Sequence, residues 1–323
     1  MKIPFISIFL AALLFGCTEY IDSNLKSQES LSNSSMQLSR EAQEGTHQLD
    51  DGSIYEGELI QGLPHGFGKK TFVGGNVYQG QFAKGLSHGH GIMRYKDLEQ
   101  IDRYFGNWSN GMRRGFGTLV MSDGSKLVGH WNKDDLSYGE YISVNGSKYF
   151  GKWNGEFLKE GVFVSVEGDR FTGLFDDSGN YLSGTLKSLL RGVYHGSFED
   201  NDFHGYGILE GVDGTIYTGT FESGKKQGHG IIIELDGSTY QGEFNDGLPH
   251  GNGVQIDPGG ISYTGEWQDG LRVGFGVIDF GDGTSFSGKF LNGLAVEGQY
   301  DWGNGKITNS YQNDDGTWLD LEE

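Results

Sequence analysis

The chain has 323 residues, with 24 Lys and Arg against 44 Asp and Glu, a formal net charge of −20, and 57 glycines beside four prolines and one cysteine. So acidic a surface repels phosphate backbones and anionic lipid heads, which argues against nucleic-acid binding and against broad electrostatic attachment to a membrane. One cysteine excludes a disulfide within the chain.

Residues 1–16 read as an export signal. Lys2 supplies a minimal positive region, and Ile3 to Phe15 form an apolar run too short to span a membrane as a permanent helix. The run ends in Leu14-Phe15-Gly16-Cys17. This resembles the lipobox of bacterial lipoproteins, although Phe15 is bulkier than the usual small residue. The resemblance implies a lipidated Cys17 as the new first residue, anchored in the bacterial cell envelope by its acyl chains. Thr18 rather than Asp follows the cysteine, which by resemblance to lipoprotein sorting implies the outer membrane in a Gram-negative organism. The alternative is an ordinary cleaved signal whose cysteine is incidental. After the lipidated Cys17, residues 18–47 are rich in Ser, Gln, Glu and Asn, so 17–47 reads as a disordered tether. Thirty such residues have a root-mean-square span of roughly 30 Å.

From Tyr55 onward a repeat of 23 residues takes over. Its starters are Tyr55, Tyr78, Tyr104, Leu127, Tyr149, Phe171, Tyr194, Tyr217, Tyr240, Tyr263 and Phe286, which makes eleven copies. A period of this kind decides the fold class before any local reading does. Each clear copy has a glycine two residues after the starter (Gly57, Gly80) and an aromatic two further on: Phe82, Trp108, Phe221, Phe244, Trp267. Starter, glycine and second aromatic share one face of a β-strand. A Gly-x-Gly follows, as in Gly251-Asn252-Gly253, and leads into a second strand rich in β-branched residues, such as Ile231-Ile232-Ile233. Copies are joined by Asp-Gly or Asn-Gly pairs, such as Asp236-Gly237, read as two-residue hairpin turns with positive φ. Such short links join only antiparallel neighbours. The expectation is therefore an all-β chain: a single twisted ribbon, an antiparallel meander of about eleven hairpins over residues 48–298. About twenty-two strands at roughly 4.8 Å each would reach on the order of 100 Å. The copies across 127–191 are worn, and Lys96 to Asp102 carries an insertion.

The pattern Tyr240-Gln-Gly-Glu-Phe244, then Gly247, then His250-Gly-Asn-Gly253, resembles the MORN repeat (membrane occupation and recognition nexus), over about three quarters of the chain. The resemblance implies an elongated twisted meander that serves as a scaffold, a dimerisation module or a membrane-associated spacer. No kinase or methyltransferase domain of the kind fused to some relatives follows here. Residues 299–323 are too short for a catalytic domain and read as a cap over an open sheet edge, with an acidic tail. Trp302 and Trp318 are its apolar candidates.

Chemistry is sparse. His65, His88, His204 and His250 recur at one repeat position, but equivalent positions lie two strands, roughly 10 Å, apart, which no single ion can bridge. The acidic pairs Asp134-Asp135, Asp176-Asp177 and Asp314-Asp315 read as solvated turns, and the Gly-x-Gly units lead into strands rather than helix N-termini. No catalytic residue, metal ligand or cofactor is assigned. The stripe of Tyr55, Tyr78, Phe82, Tyr104, Trp108, Tyr217, Phe221, Tyr240, Phe244, Tyr263 and Trp267 is read first as the ribbon's core, with an exposed binding face as the alternative. The worn middle, with Trp131, Trp153 and Phe157, is the candidate partner contact. The reading is a lipid-anchored, non-enzymatic scaffold for another envelope protein, with homodimerisation through sheet edges as a further expectation. The alternative is a glycan- or peptidoglycan-binding module using exposed aromatics.

Overall fold

The computed structural model describes residues 42–320, and these form 25 strands without a helix. They fall into two units, residues 42–144 with 153–156 and residues 145–152 with 157–320. Unit 1 begins with the strand Gln43–Gln48 and continues through Ile54–Ile60, Leu63–Thr71, Val77–Ala83, Leu86–Arg94, Ile101–Ser109, Met112–Met121 and Lys126–Asn132 to Asp135–Ile142. Each strand pairs antiparallel with the next. Unit 2 follows the same rule from Phe157–Val164 to Trp318–Asp320. The all-β antiparallel meander expected from the repeat is thus the fold. Its three strands beyond the expected twenty-two are Gln43–Gln48, Ile307–Gln312 and Trp318–Asp320.

One column of glycines sets the register. In unit 1, Gly45 pairs with Gly57, Gly57 with Gly68, Gly68 with Gly80, Gly80 with Gly91, and so on to Gly129 with Gly139. In unit 2 the column runs from Gly161–Gly173 to Gly288–Gly298. On one face of this column lies the starter of each copy, a tyrosine in eight of the eleven. The Tyr55 ring covers the Gly57–Gly68 pair so closely that a Cβ on Gly68 would stand 2.4 Å from its hydroxyl. The ring also meets the second aromatic of the next copy edge-on: Tyr55–Phe82 at 5.1 Å, Tyr78–Trp108 at 5.3 Å, Tyr240–Trp267 at 5.1 Å. Each such pair contributes about 0.5–1.5 kcal/mol beyond its burial. The core is therefore a row of interlocked rings over glycine, with nearest-neighbour contacts along each unit.

Two kinds of turn alternate. Within most copies the loop has two residues, both at positive φ, such as Gln61 (56°) and Gly62 (76°), or Asp269 (51°) and Gly270 (81°). That is the mirror-image turn that matches strand twist. The Phe171 copy has a longer loop, closed by Asp176 N donating to Asn180 O. The Asp-Gly links between copies differ from the expectation. They close three-residue loops, with Glu234 N donating to Ser238 O and Gly237 N to Glu234 O. Only the glycine is left-handed there, at φ 90° for Gly237. The aspartate stays at negative φ because its carboxylate accepts from the backbone two residues on, as Asp236 Oδ1 does from Ser238 N at 2.8 Å.

The ends also differ from the reading. Residues 43–47, expected in the tether over 17–47, belong instead to the strand Gln43–Gln48, paired with Ile54–Ile60. Its polar, exposed sequence gives no strand signal; the backbone ladder and the Gly45–Gly57 pair hold it. At the other end, the segment after 298 adds hairpin strands to the meander. Trp318 packs 4.6 Å from Phe286 and 5.4 Å from Tyr300, whereas Trp302 stays 42% exposed. The worn copies fold as strand pairs too, such as Arg170–Phe175 with Tyr181–Ser188.

Candidate functional site

The aromatic stripe lies inside. Tyr55, Tyr78, Tyr104, Tyr217, Tyr240 and Tyr263 are at most 4% exposed, and Phe82, Trp108, Phe221, Phe244 and Trp267 at most 7%. This corrects the alternative that the stripe, with Gly57 and Gly80, forms an exposed binding face. The rings interlock with each other and leave no edge for a ligand. Their hydroxyls are engaged as well: Tyr55 Oη donates to His65 O at 2.9 Å, and Tyr240 Oη to Glu243 O at 2.9 Å. Burial, above all other effects, pushes the Tyr194, Tyr217, Tyr240 and Tyr263 phenols up to about 12. The His65, His88, His204 and His250 carbonyls thus serve the fold by accepting from these hydroxyls.

The open surface is the opposite face. Between Gly57–Gly68 and Glu58–His65 the ladder skips two residues of the Leu63–Thr71 strand, Gly66 and Phe67. Gly66, at φ 64°, makes this bulge and throws Phe67 outward, 68% exposed. The same device exposes Phe116 (55%), Tyr206 (64%) and Phe275 (72%). In unit 1, Phe67, His90, Ile92, Phe105 and Phe116, with Gln79, Asn107 and Thr118, line a groove of about 610 Å³ floored by Gly91, Gly106 and Gly117. In unit 2 a groove of about 680 Å³ is lined by Tyr206, Thr218, His229, Ile231, Gln241, Asn252, Val254 and Thr264 over Gly219, Gly230, Gly242, Gly253 and Gly265. Both lie in the size range of ligand sites, and the glycines allow close approach to backbone. The middle residue of Gly-x-Gly was the available signal: a bulky side chain flanked by glycines has nothing beside it to pack against.

The units differ in charge. The described part of unit 1 has ten Lys and Arg against thirteen Asp and Glu; that of unit 2 has eleven against twenty-five. On unit 1, Arg94 stands directly across from Arg103. Like charges so placed disfavour the sheet. Arg103 is partnered by Asp102.

The expected partner contact is only partly on the surface. Trp131 and Trp153 are buried, 4% and 7% exposed, and their indoles donate to Gly117 O and Gly139 O at 3.0 Å each. Phe157 is half-buried, with Lys159 Nζ 5.7 Å from its ring centre. Cys17 lies outside the described residues. Of the repeated histidines, His204 Nδ1 lies 3.0 Å from Glu199 Oε2. Among the described residues, no three or more His, Cys, Asp or Glu are grouped to hold a metal, and no helix is long and apolar enough to cross a membrane.

A family model described as MORN repeat matches eight segments, 55–77, 78–98, 104–126, 194–216, 217–233, 240–262, 263–285 and 286–307. The unmatched stretch between 126 and 194 is the worn middle. No curated protein matches the chain. Among solved structures, the G-box domain of the microcephaly protein CPAP aligns over 70% of this chain and 92% of its own, at 11% identity and a TM-score of 0.22. A mutant TCP10 domain of Danio rerio CPAP aligns over 86% and 99%, at 12% identity and a TM-score of 0.15.

Proposed function

We propose that this chain, which belongs to the MORN-repeat family, works as a non-enzymatic interaction module that holds a partner protein at the bacterial envelope. MORN repeats point to protein-interaction or membrane-binding modules, and the finer reading rests on one observation. The face opposite the core carries solvent-exposed aromatics over a glycine floor. Large exposed rings such as Phe67 and Phe275 do nothing for the fold, and rigid aromatic anchors are what protein interfaces use. Lipid attachment through Cys17 supplies the membrane link in this reading, and residues 18–42 the reach.

The test is crosslinking in intact cells with a tagged, lipidation-competent chain. A discrete set of envelope proteins is expected, reduced when Phe67, Phe116, Tyr206 and Phe275 are changed together to Ser. Each change at so exposed a position should alter stability by no more than about 0.5 kcal/mol. An unchanged captured set would sink the groove as the interface. Cys17→Ser should move the protein from the membrane to the soluble fraction; continued membrane association would remove the anchor. A second reading has its own observation: the unit 2 groove mixes Tyr206 with Thr218, Gln241, Asn252 and Thr264, groups that hydrogen-bond sugars. Retention of the Cys17→Ser chain on purified cell wall, lost in Tyr206→Ser, would favour a glycan.

A further inference from the structure

Leu127 is the only starter that is not aromatic. Elsewhere in unit 1 the starter ring reaches the second aromatic of the following copy, as Tyr104 reaches Trp131 at 5.4 Å. A ring at Leu127 would reach Trp153 by the same rule. It would also cover Gly129 and Gly139, where the three atoms nearest an added Cβ are all backbone. The row of starter rings is therefore interrupted at Leu127, which pairs with the buried Tyr141. A cavity of about 70 Å³ opens there, walled by Leu119, Met121, Leu127, Leu136 and the two tryptophans.

Its mouth is formed by different chemistry. The insertion supplies Gln100 and Ile101, and the turns supply Asp134, Asp135, Gly155 and Glu156. Asp134 is already neutralised: it accepts from Arg113 Nε at 3.2 Å, and the Arg113 guanidinium carbon lies 4.6 Å from the Trp131 ring centre. Asp135 and Glu156 make no ion pair among the described residues. The site is an apolar hole with two uncompensated carboxylates at its rim. Apolar cavities of this kind stay dry and take apolar ligands. A water needs only about 10–15 Å³ of such space, so this cavity has room for a small branched group.

We propose that this cavity binds a short branched aliphatic group joined to a cation, such as a valine or leucine tip beside a lysine or arginine on a partner protein. The worn copy is then a socket rather than decay, and the insertion is part of its rim. The pocket opens on the core side, so it is separate from the outward grooves; only the source of its occupant rests on the interaction-module reading. Small-molecule probes test the socket without reference to any partner, and partner capture tests the module without reference to the socket.

The experiment titrates the full-length Cys17→Ser chain at pH 7 with isobutylamine, isobutanol and isovalerate at matched ionic strength. The indole N–H resonances of Trp131 and Trp153 report occupancy. Saturable shifts are expected with the amine and the alcohol, with the amine several-fold tighter than isovalerate. Leu127→Tyr should abolish the shifts while raising Tm by about 3–6 °C. Should that variant misfold, Leu127→Met fills the same space and should weaken binding. Asp135→Asn with Glu156→Gln should bring the amine down to the alcohol's affinity. Absence of saturation with every probe overturns the site. Unchanged binding in Leu127→Tyr or, where that misfolds, Leu127→Met does the same. Isovalerate binding as tightly as the amine overturns the cationic occupant.

Discussion

A methyl group on Gly253 would stand 2.4 Å from the Tyr240 hydroxyl, and one on Gly237 would meet nothing within 4 Å. The two glycines are needed for different reasons. Gly253 keeps space for a ring; Gly237 permits a φ of 90° in a loop. Gly253→Ala should therefore destabilise by about 2–3 kcal/mol through overpacking. Gly237→Ala should cost about 1–2 kcal/mol through its backbone alone. Urea unfolding of the two variants separates the causes, and equal losses would deny the ring its role. The hydroxyl adds a smaller share: Tyr240→Phe loses the bond to Glu243 O and should cost about 1 kcal/mol. The chain itself carries phenylalanine as starter at Phe171 and Phe286, both fully buried, so the position does not require the hydroxyl. Burial also makes these tyrosines titrate late. The folded phenols sit at about 12 for Tyr194, Tyr217, Tyr240 and Tyr263, above an unfolded value of 10. The folded state holds the proton more tightly, so this stability is whole below pH 10 and is lost as pH rises through 12. Circular dichroism across that window should show a steep alkaline transition, shallower in Tyr240→Phe; equal slopes would mean the phenols do not drive it.

At the scale of the hairpin, the aspartate loops carry the acid limb. Asp236, Asp213 and Asp282 are held below the usual carboxylate range, first by the backbone N–H of the residue two on for Asp236 and Asp213, and by the Thr284 hydroxyl for Asp282. Partial burial pulls Asp51 up, but Lys70 and Ser53 together outweigh it and set it at about 2. The folded pKa is depressed in each case, so the contribution is present above about pH 4 and fades as pH falls toward 2. Thermal melts between pH 5 and 2 should show Tm falling, and Asp51→Asn should flatten part of that fall. These loops also show where reading the sequence worked and where it stopped. Asp-Gly said turn, and antiparallel, correctly; it did not say three residues, because loop length is set by the strand register, which follows the glycine column. Pairs such as Gln61-Gly62 and Lys84-Gly85, the true two-residue turns, look ordinary in sequence. Only the partner strand shows that Gln61 sits at φ 56°. The outward face was missed for a related reason. Tyr240, Gly242 and Phe244 announce themselves as a stripe, and a stripe of aromatics invites a binding role; but period-two alternation marks a face without saying which way it points. The bulge at each Gly-x-Gly, which shows in sequence only as a bulky residue between two glycines, decides that Phe67 and Phe116 reach solvent while Tyr55 and Trp108 do not.

Across the molecule, charge is distributed unevenly enough to be read out. Unit 2 carries twenty-five acids against eleven bases in its described part, while unit 1 comes within three of balance. In a meander stabilised by neighbours, self-repulsion acts locally, on the strands that carry it. Raising salt from about 10 mM to 150 mM shortens the screening length from roughly 30 Å to 8 Å, which removes repulsion between strands a few places apart. Amide exchange in unit 2, for instance in Thr239–Asn245 and Leu248–Ile256, should therefore slow with salt. Exchange in unit 1 strands such as Val77–Ala83 should respond much less. Hydrogen exchange read by mass spectrometry at the two salt concentrations checks this strand by strand. The edge strands Gln43–Gln48 and Trp318–Asp320, each paired on one side among the described residues, should exchange fastest at either salt. Equal salt responses in both units would mean that acid–acid repulsion is already cancelled within each strand pair. If instead the edge strand Gln43–Gln48 is as protected as its inner neighbours, something covers it in solution. A second copy of the chain paired there would then be the first occupant to test by sedimentation.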